Sequence, residues 1–587
     1  MMDFKQKLPV SYLLFTLRGR ISRSVFWTAM LFACCTFYVM YNLFLGVLGL
    51  SIGWVLYPML FWVCAAVSAK RLHDTGKSGY LLLASLIPVF GPLWLLYMLG
   101  LKKGDVTQNR YSNVPGTKSD YLKNDEGKKL VHLKKDERII DDVTKLNPIL
   151  VNKVARPETV MELCELIKTS IGPLSIGGGR FSMGGQTAST DTLHIDMRRL
   201  NRILSFSKDA KTIKVEAGIR WCDIQKHIDP FDLSIKIMQT YANFTVGGAL
   251  SVNAHGRYMG LGPVVLSVLS IEVVLADGSL IEATKNKNEE IFYAAIGGYN
   301  AIGIIVSAEL QLADNVAIKR VNRQMNYTEY LNFFFNNVRY NPKAVFHNGD
   351  IYPPHYKKMR AITWEETTEK PTVKTRLMPL KESYPLERYF LWAFTSTPFG
   401  KWRRQYLIDP LLYLSKKIHW RNYEAGYDVA ELEPKSRTAS TYVLLEYFVP
   451  MHNFDEFTKS MAEIFIRHNV NVLNVSVRHA LADPGTYLAW AREEVFAFVV
   501  YYKQETHEAA KQAVAVWTRK LADAVIAVKG CYYLPYQIHP TAEQFHKAYP
   551  HAVKLFELKS RLDPEYKFRN SLWDTYYKPL YHHQNEN

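Results

Sequence analysis

Three glycine clusters, each beside an apolar run, constrain this chain more than any other feature. The first is Gly177-Gly178-Gly179-Arg180-Phe181-Ser182-Met183-Gly184-Gly185-Gln186, entered from Pro173-Leu174-Ser175-Ile176. Glycine has no Cβ, so it takes positive φ readily and lets backbone N–H groups crowd against a ligand. Successive N–H groups in such a turn form an anion-binding concavity, suited to a pyrophosphate. The second cluster is Thr245-Val246-Gly247-Gly248-Ala249-Leu250-Ser251-Val252-Asn253-Ala254-His255-Gly256. The third is Ala295-Ile296-Gly297-Gly298-Tyr299-Asn300-Ala301-Ile302-Gly303-Ile304-Ile305. Taken alone, the first reads equally well as a glycine-rich surface turn; three together suggest one long ligand lying across a sheet. A doubly wound dinucleotide fold is the other rival, since Asp196 falls near the place of its ribose-binding acid. That fold needs a helix directly after the glycines. The residues that follow here, Thr187-Ala188-Ser189-Thr190-Asp191-Thr192, are poor helix material, so that fold is set aside.

In this order the clusters resemble the flavin domain of the vanillyl-alcohol oxidase superfamily, the PCMH-type FAD-binding domain. The resemblance implies an α+β fold of two FAD-binding subdomains under an α+β substrate cap. Gly177, Gly178, Gly179, Arg180, Phe181, Ser182 and Gln186 would then hold the pyrophosphate. Thr245, Gly247, Gly248, Ser251, Asn253, His255 and Gly256 would line the isoalloxazine, with Gly298, Gly303 and Ile304 completing the cofactor site. His255 is expected to support that pocket. Many members carry a histidine in the first loop that bonds covalently to the flavin; Phe181 stands at that place here, so non-covalent FAD is expected. Arg180 is expected to pair with a phosphate as a charge-assisted donor, the alternative being a solvated surface cation.

Ahead of this region the chain reads as an all-α transmembrane domain over residues 9–112. Val25 to Leu50, Ser51 to Ala69 and Gly79 to Leu101 carry no charge, and each is near the ~20 residues needed to span a bilayer. Several such runs in succession exclude a cleaved signal peptide. The flanking Gly19-Arg20-Ile21-Ser22-Arg23, Arg71-Leu72-His73-Asp74-Thr75-Gly76-Lys77 and Asn109-Arg110-Tyr111 resemble a family of small bacterial membrane domains of unknown function. That likeness implies a bacterial inner membrane. Positive charge marks the cytoplasmic side. Arg18, Arg20 and Arg23 before the first run and Lys70, Arg71 and Lys77 before the third both ask to be inside. Two spans satisfy this; a third would put the rest of the chain outside. Pro88-Val89-Phe90-Gly91-Pro92 breaks the third run as a kink or a re-entrant turn. A cytoplasmic catalytic region is the favoured reading.

The formal net charge of +17 raises nucleic acid as a partner, but no nucleic-acid module pattern is present; the lipid bilayer is the better partner. Six cysteines without a CxxC pair argue against a disulfide framework or a zinc site, and no metal-ligand spacing stands out.

The remaining division is a polar linker at 113–137, the FAD-binding domain at 138–314, the cap at 315–535 and a closing segment at 536–580. A helix is expected to start at Arg156-Pro157-Glu158, and Thr541 to Leu562 reads as an amphipathic helix with an internal Pro550. Within the cap, Gly400 to Tyr423 is basic and aromatic, which suits a membrane interface or an ordinary exposed insertion. The closing segment resembles that of the aldonolactone oxidases, which packs back on the flavin domain.

Three residues are carried over as catalytic. Leu444-Leu445-Glu446-Tyr447-Phe448-Val449-Pro450 resembles the Glu-Tyr-x-x-Pro strand of the aldonolactone and alditol oxidases, which assigns Glu446 to the substrate hydroxyls. Val477-Arg478-His479 resembles their arginine-bearing strand, which assigns Arg478 to substrate oxygens or to the charge of the reduced flavin. Tyr536 stands where relatives often place a lysine or histidine. His539 and His546 are nearby candidates for a base. The resemblance implies a membrane-anchored FAD-dependent oxidoreductase, D-arabinono-1,4-lactone oxidase-like. It would oxidise a C–OH group of a sugar lactone, alditol or similar small hydroxylated molecule by hydride transfer to flavin N5, with oxygen or a membrane carrier as electron acceptor. Two alternatives stay open: an enzyme acting on a lipid-linked sugar, and a flavin-binding sensor or scaffold with a decayed site.

Overall fold

A computed structural model describes residues 10–17, 19–48, 56–86, 90–105, 137–380, 398–428 and 436–580. The chain divides into two units, Met1–Asp136 and Glu137–Asn587. The expected linker lies almost wholly outside the described residues, as do Arg18, Pro88-Val89 and Asn109-Arg110-Tyr111.

The first unit is helical: Val10–Phe15, Arg23–Leu48, Leu56–Asp74 and Phe90–Leu96. Among the described residues, one helix is long and apolar enough to cross a membrane, over Arg23–Asn42. The third uncharged run is not one continuous helix. Gly79–Leu86 is a 3₁₀ segment, and a short α-helix from Phe90 widens into a π-turn at Tyr97–Leu101. The flanking motif is interior: Arg20 Nη2 lies 3.0 Å from Asp74 Oδ1, Arg71 also pairs with Asp74, and Arg71 Nε donates to the Leu99 carbonyl at 3.0 Å. These three charges are buried together, and their pairing and hydrogen bonding are what make the burial tolerable.

The second unit is α+β. A small parallel sheet orders Lys153–Ala155, Leu193–Asp196 and Leu174–Gly177. Its helix begins at Val160 rather than near Pro157, because Thr159 is the cap: its hydroxyl accepts from Glu162 N at 3.1 Å. A second, antiparallel sheet is built on the twelve-residue strand Gly303–Asp314, flanked by Val268–Leu275 and Thr212–Glu216. Asp277-Gly278-Ser279 turns Val268–Leu275 back into Leu280–Thr284, with Gly278 at φ 83°.

Residues 317–532 supply an eight-stranded antiparallel sheet in the order Ile418–Trp420, Ala317–Asn326, Lys358–Glu366, Ala344–Ile351, Val472–Ala480, Val495–Glu505, Ser440–Pro450, Cys531–Tyr532. Alternation along each strand splits its residues between two faces. Val475, Val477 and His479 are buried on the face covered by the helices Tyr327–Asn337, Phe454–Arg467 and Glu508–Ala527. Aromatic pairs seal that layer: Tyr330–Phe454 at 5.1 Å, Phe457–Phe498 at 5.0 Å and Tyr502–Trp517 at 5.1 Å. The opposite face carries Asn474, Ser476 and Arg478, and register sets Glu446 opposite Val499 and Arg478 opposite Ala497.

Pro550 divides the expected terminal helix into Ala542–Ala548 and Ala552–Leu562, and the first of these opens on a Thr541/Gln544 capping box. The chain then pairs Phe568 with Leu174. Lys559, fully buried, anchors that return through Asp563 at 2.8 Å and the Ala301 and Phe568 carbonyls at 2.7 and 3.0 Å.

Candidate active site

The first glycine cluster leaves the strand Leu174–Gly177 as an irregular loop without a helix. Gly177 is pinned because a Cβ there would stand 2.8 Å from the His194 ring; on Gly178 it would meet Thr245 Oγ1 at 2.5 Å. Arg180 takes the left-handed conformation at φ 62°. The second cluster opens a short helix, Val246–Ser251. A Cβ on Gly247 would meet the Ala217 side chain at 2.7 Å, and one on Gly248 would meet Thr245 Oγ1 at 3.0 Å.

Between these loops and the open face of the large sheet lies a cleft with about 160 Å³ of enclosed space, lined by Gly178–Met183, Thr240, Tyr241, Phe244, Thr245, Gly248, His255, Leu444, Glu446, Arg478, Tyr533 and Tyr536. A second space continues it past Ser182, Gln186 and Thr245 to Gly247, Ser251, Tyr299, Asn300 and Ile304. Gly178, Ser182, Thr187, Thr245, Gly248 and Val252 line both, so the two form one channel with backbone-walled glycine turns along it. Arg180 Nε, Arg478 Nε and Thr240 Oγ1 are buried without a hydrogen-bond partner. Buried polar atoms of this kind ordinarily find one. A dinucleotide with a flat ring fits these residues: backbone donors and glycines on the narrow arm, orphaned donors and aromatic walls in the wide one.

Glu446, Arg478 and Tyr536 come together on the wide arm. Glu446 is 3% exposed. Its Oε1 lies 2.8 Å from His255 Nε2, and its Oε2 accepts from the Tyr536 hydroxyl at 3.1 Å. Burial alone would push this carboxyl up. The charge and hydrogen bond of His255, with Arg478 and Tyr536, outweigh it and hold the group below its ordinary value. Burial and the Glu446 charge keep the Tyr536 phenol far above its usual range, so it acts as a proton-bearing donor. Arg478 is pulled down by burial and held up by Glu446; a guanidinium stays charged in either case.

Gln186 sits where the loop meets the closing segment. Its Oε1 accepts from Gly184 N at 2.9 Å, and its Nε2 donates to the Leu534 and Tyr536 carbonyls at 2.7 and 2.6 Å. One amide therefore ties the first glycine loop to the residue that carries the phenol. Phe181 lies against Phe244 at 4.4 Å between centroids. Arg180 is directed toward Asp196, with 3.6 Å between Nη2 and Oδ2; this buried carboxylate explains why the arginine is not a freely solvated cation.

Other expected residues serve elsewhere. Asn253 is fully buried, donates to Asp483 Oδ2 at 2.7 Å and accepts from Val265 N at 3.2 Å, so it fastens a loop outside the cleft. Gly256, Gly298 and Gly303 are also off the channel lining. Each is a glycine for packing: a Cβ would meet the Met238 carbonyl at 2.4 Å, the Ala294 carbonyl at 1.9 Å and the Val273 side chain at 2.7 Å respectively. His539 is not a base at the site. Its Nδ1 meets the Thr518 hydroxyl at 2.9 Å, and burial pushes it down to about 4. His546 packs on Phe545 and Phe556.

Reading the sequence missed Tyr299, Asn300, Thr240, Tyr241 and Phe244. Tyr299 and Asn300 were within the third cluster, and both take positive φ, 49° and 59°; a Tyr-Asn pair directly after two glycines is the signal available. The aromatic Tyr241 and Phe244 precede Thr245 without any pattern that marks them.

Residues 148–284 match the family described as FAD binding domain, and residues 14–113 match the one described as Protein of unknown function (DUF805). The chain is 21% identical to L-gulonolactone oxidase of Mus musculus over 420 residues, covering 70% of this chain and 91% of that protein. It is 25% identical to Cytokinin dehydrogenase 3 of Arabidopsis thaliana over 455 residues, 72% and 85% of the two chains. It is 22% identical to Decaprenylphosphoryl-beta-D-ribose oxidase of Mycolicibacterium smegmatis over 429 residues, 68% and 88%.

Proposed function

We propose, from the premise that this chain is an FAD-dependent oxidoreductase with a PCMH-type FAD-binding domain, that it oxidises a C–OH group of a sugar lactone, alditol or related polyol. On this reading residues 138–314 hold the cofactor, 315–535 cap it and 536–580 return to the FAD domain. The carrying observation is Glu446, an ionised carboxylate fixed between His255 and Tyr536 beside Arg478 on the wall of the cleft.

FAD, when bound, supplies the two-electron acceptor for the hydrogen that leaves the substrate carbon. The chain supplies the rest. The glycine turns at 178–179 and 247–248 leave room for backbone donors to approach the cofactor closely. Glu446 accepts a hydrogen bond from the reacting hydroxyl and takes its proton, while His255 fixes the carboxylate's orientation. Tyr536 keeps its own proton and holds the other oxygen. Arg478 offers its unpartnered Nε to a neighbouring substrate oxygen and offsets negative charge as it develops. Apolar walls from Phe244, Leu444 and Val499 exclude water.

The helical N-terminal unit anchors the enzyme in a bacterial inner membrane, with the catalytic unit on the cytoplasmic side. The apolar helix Arg23–Asn42, the match to DUF805 and the basic flanks support this. Oxygen or a membrane carrier takes the electrons. A second reading, oxidation of a lipid-linked sugar, is favoured by the similarity to the decaprenylphosphoryl-ribose oxidase. Anaerobic mixing of the purified yellow protein with aldonolactones, alditols and polyprenyl-phosphate sugars separates the two. Rapid bleaching by an aldonolactone or alditol supports the first reading; bleaching by the lipid-linked sugar alone replaces it with the second.

A further inference from the structure

The insertion at 398–416 has its polarity reversed. Pro398–Arg403 is helical, a π-turn follows at Arg404–Ile408, and Asp409–Leu414 resumes the helix. Its buried side chains are polar: Gln405 is 6% exposed and Asp409 8%. Its large apolar side chains point outward, with Leu407 at 48% exposed, Leu411 at 68%, Leu412 at 53% and Leu414 at 79%. A surface helix ordinarily does the opposite.

The reversal is locked by the polar side. Asp409 Oδ2 accepts from the Tyr352 hydroxyl at 2.8 Å, and Arg404 donates to the Leu473 carbonyl at 2.9 Å. Tyr413 lies between Arg320 and Arg360, whose guanidinium carbons stand 4.6 and 4.5 Å from the ring centroid. Arg320 also donates to the Leu412 and Ser415 carbonyls at 2.9 Å each. Rolling the leucines inward would break all of these at once. Clustered exposed apolar side chains on a fixed helix mark an interaction surface.

Charge selects the occupant. Residues 398–421 carry six formal cations against the single anion Asp409; Arg404 and Arg421 turn inward to the Leu473 and Lys236 carbonyls, and Lys401, Arg403, Lys416 and Lys417 are left at least partly exposed. A second copy docking on the same patch by two-fold symmetry would bring like charges together. An anionic lipid surface satisfies both features, taking the leucines into the acyl boundary and the cations among its headgroups. We infer that the leucine face of residues 398–416 is a membrane-docking surface, through which the FAD-binding unit seats itself on an anionic bilayer independently of the N-terminal helices. This does not depend on which substrate the enzyme takes.

The test is photo-crosslinking of the full-length protein in proteoliposomes of phosphatidylglycerol and phosphatidylethanolamine. A benzophenone amino acid replaces Leu411, Leu414 or, as a control, Ile171, which is fully exposed elsewhere on the same unit. Flavin absorbance verifies that each protein is folded. Lipid adducts about fivefold or more above the Ile171 control are expected at both leucine positions, falling in pure phosphatidylcholine. With the photoprobe at position 407, L411E/L414E should lower the lipid adduct about threefold while bound FAD is unchanged. Adducts equal to the control, adducts to a second copy of the chain, or adducts to residues 381–397 of the same chain overturn the proposal.

Discussion

The Tyr536 hydroxyl donates to Glu446 Oε2 across 3.1 Å, joining the closing segment of the chain to a strand of the large sheet. The carboxylate gains a donor that cannot ionise near neutral pH, and so a partner that stays constant while the substrate changes. Removing it in Y536F takes away one of the interactions that hold Glu446 below its ordinary range. The folded-state pKa of Glu446 then rises, and the acidic limb of the kcat/KM profile moves to higher pH. A pH–rate profile checks this; an unmoved limb with a simple drop in rate would assign Tyr536 to substrate contact alone.

Glycine at 178 is required by the approach of Thr245, whose hydroxyl would stand 2.5 Å from an added Cβ. G178A should weaken FAD binding at least about tenfold, or roughly 1.4 kcal/mol. G172A, with nothing within 4 Å of its added Cβ, should bind FAD as the wild type does. Titration of the apoprotein with FAD, followed by absorbance or flavin fluorescence, measures both.

On the family likeness of the first glycine loop, Phe181 stands where relatives attach the flavin covalently, and a phenyl ring offers no nucleophile. Trichloroacetic acid should therefore release all flavin into the supernatant. Yellow colour kept in the protein pellet would contradict this assignment.

Three histidines desolvated by the fold should make it acid-sensitive. Burial pushes His194 and His347 down to about 3 and His539 to about 4. Each is neutral in the fold and takes up a proton when unfolded below about 6.5. The unfolded state thus binds more protons, so stability falls as the pH drops from about 6.5 toward 4, by up to about 1.4 kcal/mol per pH unit for each group. Melting temperatures between pH 8 and 5 should be level above pH 7 and decline below it; in H539Q, which keeps a neutral side chain, the decline should be shallower.

The first glycine loop was legible in the sequence because its glycines answer to one demand, close approach of backbone and neighbouring side chains. Gly256, Gly298 and Gly303 show the limit of that reasoning. Their Cβ positions are filled by protein carbonyls and a valine, and a glycine kept for packing looks the same in a sequence as one kept for a ligand. Asn253 stood in the right motif but turns to Asp483, a partner 230 residues away that no local pattern indicates. Glu446 and Arg478 were singled out through the likeness of their strands, whereas the pairing of Glu446 with His255 depends on sheet register and on folding of the cap over the loops. His539 and His546 were near Tyr536 in sequence only. The uncharged run from Gly79 looked like a span by composition, but its backbone is broken into 3₁₀, α and π segments.

The most direct test follows flavin absorbance near 450 nm while anaerobic full-length protein is mixed with a panel of aldonolactones and alditols, comparing wild type with E446Q. The amide keeps the shape of the side chain but lacks the charge that accepts the hydroxyl proton. E446Q should therefore keep its yellow colour and bleach about 100- to 10,000-fold more slowly. A wild-type protein that holds FAD and is bleached by no polyol, or an E446Q protein bleached as fast as the wild type, would contradict the account.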